Sequence, residues 1–329
     1  MMQWRQLTNQ TDEQLARLDV AEVNLACAVG LPRTEGVEEA FCRQTLDGWA
    51  GRASAAMRQW EGDYRQQPER FEHSWPRYLA MTLLTVLNRH IGIGYHPHLK
   101  VPEPDAVFHP DQTFIHSLLT EKLGTCASMP VVVVAVGRRM GFPLRLVSSI
   151  EHMFARWDDP DGERFNIECT CGGFLSHSDE HYLTWPRSVS REKAEGTVCL
   201  DSFSPREELA SFLGNRSCHL WQLEQRGEAI EAMAYAAQLA PRSRPYAERV
   251  DRMLGCWHYR LTLRVPVAFY EMTLNIDEGE GPPLSPRQEH TYYACRFAEH
   301  WIERYQRVPS GKVVSPAHRV PDHVVIRRG

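Results

Sequence analysis

Apolar residues between positions 37 and 60 recur at helical spacing. Ala40, Phe41, Leu46, Trp49, Ala56 and Trp60 are among the apolar positions of an amphipathic helix predicted over Val37 to Trp60. Residues 11–104 read mostly as helix. A further one is expected from Trp75 to Arg89, with Ser74 as its N-cap, Pro76 in a tolerant first turn, and Leu79, Leu83, Leu84 and Leu87 as its buried stripe. Gly92 and Gly94 break this pattern, and the Pro- and His-rich stretch 96–104 reads as a connecting loop. Asp111 can cap a short helix bearing Phe114, Ile115, Leu118 and Leu119, stopped by Gly124. The apolar run Ala127 to Met140 could be strand or helix. Its length, Pro130 in a first turn and the Arg138-Arg139-Met140-Gly141-Phe142-Pro143 stop favour a buried helix.

At Leu144 the period changes to two. Leu144 to Ser149, His152 to Trp157 and Arg164 to Thr170 are predicted strands, and Asp159-Pro160-Asp161-Gly162 is a turn between the last two. Pro205 to Leu213 is expected to be a short helix, and 215–254 to be helical again. There Ala229, Ala232, Met233, Ala236 and Ala237, followed by Pro241, resemble the second helix of one tetratricopeptide unit. Trp257 to Ile276 alternates like a hairpin, Pro286 to Arg307 has helical spacing, and the last 22 residues form a Pro-rich basic tail. The expected fold class is α+β. The expected division is a helical lobe over 1–105, a mixed core over 106–213, a helical segment over 214–255, and a hairpin, helix and tail over 256–329.

The 329 residues carry a formal charge of −5, with 43% hydrophobic and 24% charged residues. That composition excludes disorder along the whole chain and gives no general attraction to nucleic acid or anionic lipid. No stretch approaches the ~18 apolar residues of a membrane span, and Met1 to Val20 lacks the apolar middle of a secretory signal. A cytoplasmic protein with neither nucleic-acid nor membrane partners is expected. Nine scattered cysteines are not a disulfide framework; reduced thiols, at least one of them reactive, fit better.

Cys126 is the most informative of the nine. It follows Gly124-Thr125 at the head of the predicted buried helix, where the positive end of the helix and its unpaired N–H groups favour a thiolate and can hold an oxyanion. A lone cysteine is more often a small buried hydrophobe. His152, opening the second strand, alters that balance. Strand parity puts Asn166, Glu168 and Thr170 on one face of the next strand. If paired residue numbers sum to 320, His152 lies opposite Glu168. If they sum to 322, it lies opposite Thr170 and diagonal to Glu168, still on the same face, whereas an odd sum would separate the two residues. A base oriented by a carboxylate on a neighbouring strand is what a cysteine–histidine site requires.

The segments Gly124-Thr125-Cys126-Ala127-Ser128-Met129, Gly141-Phe142-Pro143, Glu151-His152-Met153-Phe154-Ala155-Arg156 and Asn166-Ile167-Glu168-Cys169-Thr170 resemble the core of the transglutaminase-like, papain-like cysteine enzymes. The upstream Asn24-Leu25, Gly30-Leu31-Pro32 and Ile93-Gly94-Tyr95 resemble a bacterial subgroup with a helical lobe before the core, and the tetratricopeptide-like segment resembles relatives of that subgroup. The resemblance implies a central cysteine-bearing helix on an antiparallel sheet. It implies Cys126 as nucleophile, His152 as general base and acid, and Glu168 as the orienting residue. Aspartate is more usual at that last place, and Asn166 is the alternative orienting residue. The implied reaction is acyl transfer from an amide in a peptide or protein, by hydrolysis or transamidation, with no cofactor. The alternative is an inactive core that binds a protein partner through 215–254.

Two further sets of residues carry competing readings. His116, ten residues before Cys126, is a candidate oxyanion or substrate contact, though a lone histidine is usually structural. Cys169, Cys171, His177 and His181 have the ligand types of a zinc site. Strand parity instead turns Cys169 into the core, so no metal is expected.

Overall fold

The structure is a computed structural model that describes residues 3–99, 108–195 and 197–264. The predicted hairpin is helical as far as the described residues reach. Helix Arg244–Arg264 covers 257–264, while the rest of the hairpin, the Pro286 to Arg307 helix and the tail lie outside the described residues.

The N-terminal part is helical, as its periodicity predicts. Glu39–Gln66 is a 28-residue helix, longer at its C-terminal end than the apolar stripe alone indicates. Ser74 caps helix Trp75–Thr85 by accepting from the Arg77 N–H at 3.0 Å. A π-helical segment, Val86–Ile91, continues it until Gly92 (φ 88°) ends it in the left-handed region.

The predicted helix after Asp111 is two pieces, Pro110–Thr113 and His116–Thr120. His109, not Asp111, holds the N-cap position, and Phe114 between the pieces is extended. The break is held by buried Asn24, whose Oδ1 accepts from the Ile115 N–H at 3.1 Å. Gly124 ends no helix. It belongs to a two-residue strand β2 (Leu123–Gly124) that runs parallel to β1 (Gly94–Tyr95).

Helix Met129–Arg139 forms the centre of the molecule. All residues from Met129 to Gly137 are buried, as expected of a helix that is apolar all round. It packs against helices Val20–Ala28 and Glu39–Gln66 on one side and the main sheet on the other. Gly137 allows this close approach: a Cβ there would lie 2.3 Å from Leu144 Cδ1.

The main sheet is antiparallel, in the order β3 (Leu144–Ser149), β4 (His152–Asp158) and β5 (Arg164–Ile167). β4 pairs with β5 as Ala155 with Ile167 and Arg156 with Asn166, the register whose paired numbers sum to 322. The Asp159 N–H reaches Glu163 O at 3.2 Å and leaves a three-residue loop at 160–162, which sets that register. β5 is shorter than predicted and ends before Glu168. Residues 200–203 cover the other edge, with Leu200 N–H on Ser148 O and Phe203 N–H on Leu146 O, both at 2.8 Å.

Helix Pro205–Gln222 opens on a capping box in which Ser204 and Glu207 serve each other's N–H groups. It runs unbroken through the boundary expected at 213/214. It packs on Arg226–Leu239, which packs in turn on Arg244–Arg264. Gly214 lies against the Tyr246 ring. No described helix is long and apolar enough to cross a membrane.

Candidate active site

Cys126 sits in a turn just before the N-cap, Ser128, of the central helix rather than in its first turn. The chain is already winding there, because the Ser128 and Met129 N–H groups both reach Thr125 O, at 3.2 and 2.9 Å. The hydroxyls on either side lock this turn. Thr125 Oγ1 and Ser128 Oγ donate to Gln112 O at 2.9 and 2.8 Å, and Ser128 Oγ accepts from the Thr125 N–H at 3.1 Å. Both are fully buried, while Cys126 between them is only partly so. Polar residues flanking the cysteine thus hold it at the surface of a cleft.

His152 begins β4 directly after a two-residue turn in which Glu151 takes a positive φ of 64°. Its Nε2 lies 2.8 Å from Glu168 Oε2. The ring stacks on Tyr182 at 6.0 Å and meets Trp185 edge-on at 4.7 Å. Cys126 lines the same cleft as His152 and acts on the charge of its imidazole. Burial pulls the imidazole pKa down, but Cys126 and Glu168 outweigh it and raise the value to about 9. The imidazole is therefore a cation at neutral pH, a suitable counter-ion for a thiolate.

Glu168 is 3% exposed and has a partner for each of its oxygens. Tyr182 Oη donates to Oε2 at 3.1 Å, and the Thr170 N–H and Oγ1 donate to Oε1 at 2.9 and 2.6 Å. Burial alone would raise its pKa. The contacts with His152 and Thr170 reverse that and hold it at about 2, so the carboxylate stays ionised.

Cys126 and His152 line a cleft of about 380 Å³. Its opposite wall is formed by Ser211, Cys218, His219 and Gln222 of helix Pro205–Gln222 and by Tyr246 and Arg249 of the last helix. The expected helical segment therefore closes the site rather than standing apart from it. A larger cavity of about 680 Å³ lies against β5; its lining includes no cysteine, and its Arg156, Asn166 and Asp179 are bonded to one another.

The other sequence candidates are not brought to this site. Asn166 is two residues from Glu168, but its Oδ1 accepts from Arg156 Nε at 2.6 Å and its amide donates to His177 O and Asp179. It pins a buried arginine, not the imidazole. His116 does not line the cleft; burial, more than Asp111 and Glu35 oppose, lowers its pKa to about 4 and keeps it neutral. The four residues weighed as zinc ligands do not assemble. Cys169 is buried, Cys171 Sγ turns to Gly173 O at 3.1 Å, and His177 stacks on His181 at 3.8 Å. Among the described residues no group of three or more His, Cys, Asp or Glu could hold a metal ion.

Sequence reasoning missed Tyr95, which adjoins Cys126, and Tyr182, which supports Glu168. Tyr95 lies 31 residues before Cys126 and reaches it only because β1 pairs with β2. The single available signal was its place in Ile93-Gly94-Tyr95, one of the segments that carried the resemblance.

A family model described as the transglutaminase-like superfamily matches residues 43–209, just over half of the chain. No curated protein and no solved structure matches it.

Proposed function

The chain belongs to the transglutaminase-like superfamily, and from that premise we propose that it is a cysteine-dependent enzyme acting on an amide bond of a peptide or protein. Cys126, as thiolate, attacks the carbonyl carbon. The C–S bond forms and the carbonyl π pair moves to oxygen. Protonated His152 then gives its proton to the departing amine as the C–N bond breaks, leaving a thioester on Cys126. Water or a second amine attacks the thioester, His152 takes the proton from it, and the thiolate leaves. Glu168 touches no reacting atom in this scheme; it positions the imidazole and favours its charged form.

What supports the reading is the bond of His152 to the Glu168 carboxylate at the wall of a cleft that Cys126 also lines. It is tested by timed alkylation of the full chain with iodoacetamide at pH 5.5 to 6, each cysteine being followed by peptide mass. Cys126 is expected to react faster than the other eight, and His152→Ala to slow it. If Cys126 reacts no faster than the rest, the enzyme reading fails. A scaffold that docks a partner on the helices around 215–254 then becomes the better account.

A further inference from the structure

The wall facing Cys126 and His152 carries a charge that has no task in the scheme above. Arg249 of helix Arg244–Arg264 lines that wall. It also lines a second hollow of about 260 Å³, which shares Cys218 and Gln222 with the cleft. The two hollows meet at these residues and form one groove leading away from the thiol. Arg252, three residues on and on the same helical face, lines its further part. Both arginines are exposed, and among the described residues neither makes an ion pair or a hydrogen bond. The other charges along the groove are already matched. Glu151 pairs with Arg187 at 2.6 Å, the His152 cation has the Glu168 carboxylate at 2.8 Å, and burial keeps His219 neutral at pH 7. Two guanidinium groups therefore stand uncompensated beside the groove. Ser149, the register partner of His152, lines the cleft as well. It is 9% exposed, and its Oγ has no hydrogen-bond partner among the described residues. A buried hydroxyl left without a partner costs stability, and a peptide main chain brings N–H and C=O groups able to bond it.

We propose that the groove selects acidic peptides, with the main chain along the Ser149 wall and Asp or Glu side chains bonded to Arg249 and Arg252. The proposal rests on the enzyme reading and adds the class of its substrate. A guanidinium suits this task, because its planar fork takes a carboxylate through two parallel hydrogen bonds. A nucleic-acid strand suits the groove less well. The chain as a whole has a formal charge of −5, and the chemistry of the thiol is directed at an amide carbonyl.

The test is protection of Cys126 in the full chain against iodoacetamide at pH 7 and low salt. The protecting ligand is a pentapeptide capped at both ends, with glycine at its centre and two glutamates on either side, compared with the same peptide carrying glutamines. Each protein is measured against its own labelling rate without peptide. The Glu peptide is expected to half-protect at about one-tenth of the concentration of the Gln peptide, and this advantage to shrink in about 0.5 M salt. Arg249→Gln with Arg252→Gln should abolish the advantage. Arg249→Glu with Arg252→Glu should pass it to the corresponding Lys peptide, with an unchanged circular dichroism spectrum. Equal protection by the Glu and Gln peptides, or none by either, overturns the proposal and leaves the enzyme reading standing. An advantage that survives the Arg→Gln pair does the same. So does equal protection by a short oligothymidylate, which would make the two arginines a general anion site. If Cys126 of the unmodified chain is alkylated no faster than the other cysteines, the enzyme reading itself fails and takes the proposal with it.

Discussion

Glu168→Gln removes the charge from the site with the least change of shape. The side chain keeps its length and an oxygen able to accept from His152 Nε2, but the imidazolium loses its carboxylate. In the native protein the imidazole pKa stands at about 9 against an ordinary 6.5, in spite of burial, because Cys126 and Glu168 both favour the cation. The gap between those values corresponds to roughly 3 kcal/mol in favour of the cation. The two partners together supply more than this, since burial acts against them. Withdrawing the charge of one partner is expected to lower the pKa by at least ~1 unit, about 1.4 kcal/mol or tenfold in the ratio of charged to neutral imidazole. The assay is an NMR titration of histidine ring carbons, with His152→Gln used to assign the resonance. The native protein should titrate near pH 9 and the variant at pH 8 or below. Alkylation of Cys126 at pH 6 should slow as its counter-ion weakens. A variant that is folded and still titrates near pH 9 would refute the reasoning, because Glu168 would then not govern the charge of His152.

Three other outcomes are expected. Asn166→Ala should cost about 1–3 kcal/mol in urea unfolding, because it strips one acceptor from the buried Arg156, yet leave Cys126 alkylation within about twofold; slower labelling at unchanged stability would place Asn166 in the site. Gly124→Ala should destabilise by about 1–3 kcal/mol, since its Cβ would lie 2.7 Å from Met129 Cγ and 2.8 Å from Leu118 Cδ2 beside the Cys126 turn, and an unchanged urea midpoint would show that those side chains give way. The third outcome concerns acid. Burial lowers His116 and His219 to about 4, so the stability they contribute is complete above 6.5 and is lost as pH falls through 4. His152, with its raised value, does the reverse: its contribution is complete below 6.5 and is lost as pH rises through about 9. His219→Gln should therefore flatten the decline in stability between pH 6.5 and 4, and a decline as steep as in the native chain would overturn the role given to that histidine.

Where the cause lies within a few residues, the sequence by itself determined the outcome. Ser74 and Pro76 mark a helix start because a cap and a first-turn proline act on their own turn, and the structure places the cap bond there. The limits of β3 follow from its two-residue period, and the length of the turn at Asp159 to Gly162 is decided by its own residues. Because side chains alternate along a strand, any register with an even sum puts His152 and Glu168 on one face of the sheet, and the turn supplied such a register. Parity could not choose between Glu168 and Asn166, which share that face.

Tertiary packing made that choice. The turn set the register at a sum of 322, β5 ended at Ile167, and Arg156, Asp179 and the His177 carbonyl took Asn166, leaving Glu168 to bend to the imidazole. The same holds for His116, which does not line the cleft, and for the long helix Pro205–Gln222, whose far half builds a cleft wall. Tyr95 reaches Cys126 through a parallel pairing of two-residue strands too short to leave a period in the chain. Local conformation follows from interactions between near neighbours in sequence. The composition of a site depends on which distant segments share a ladder or a packing face, and no single segment carries that information.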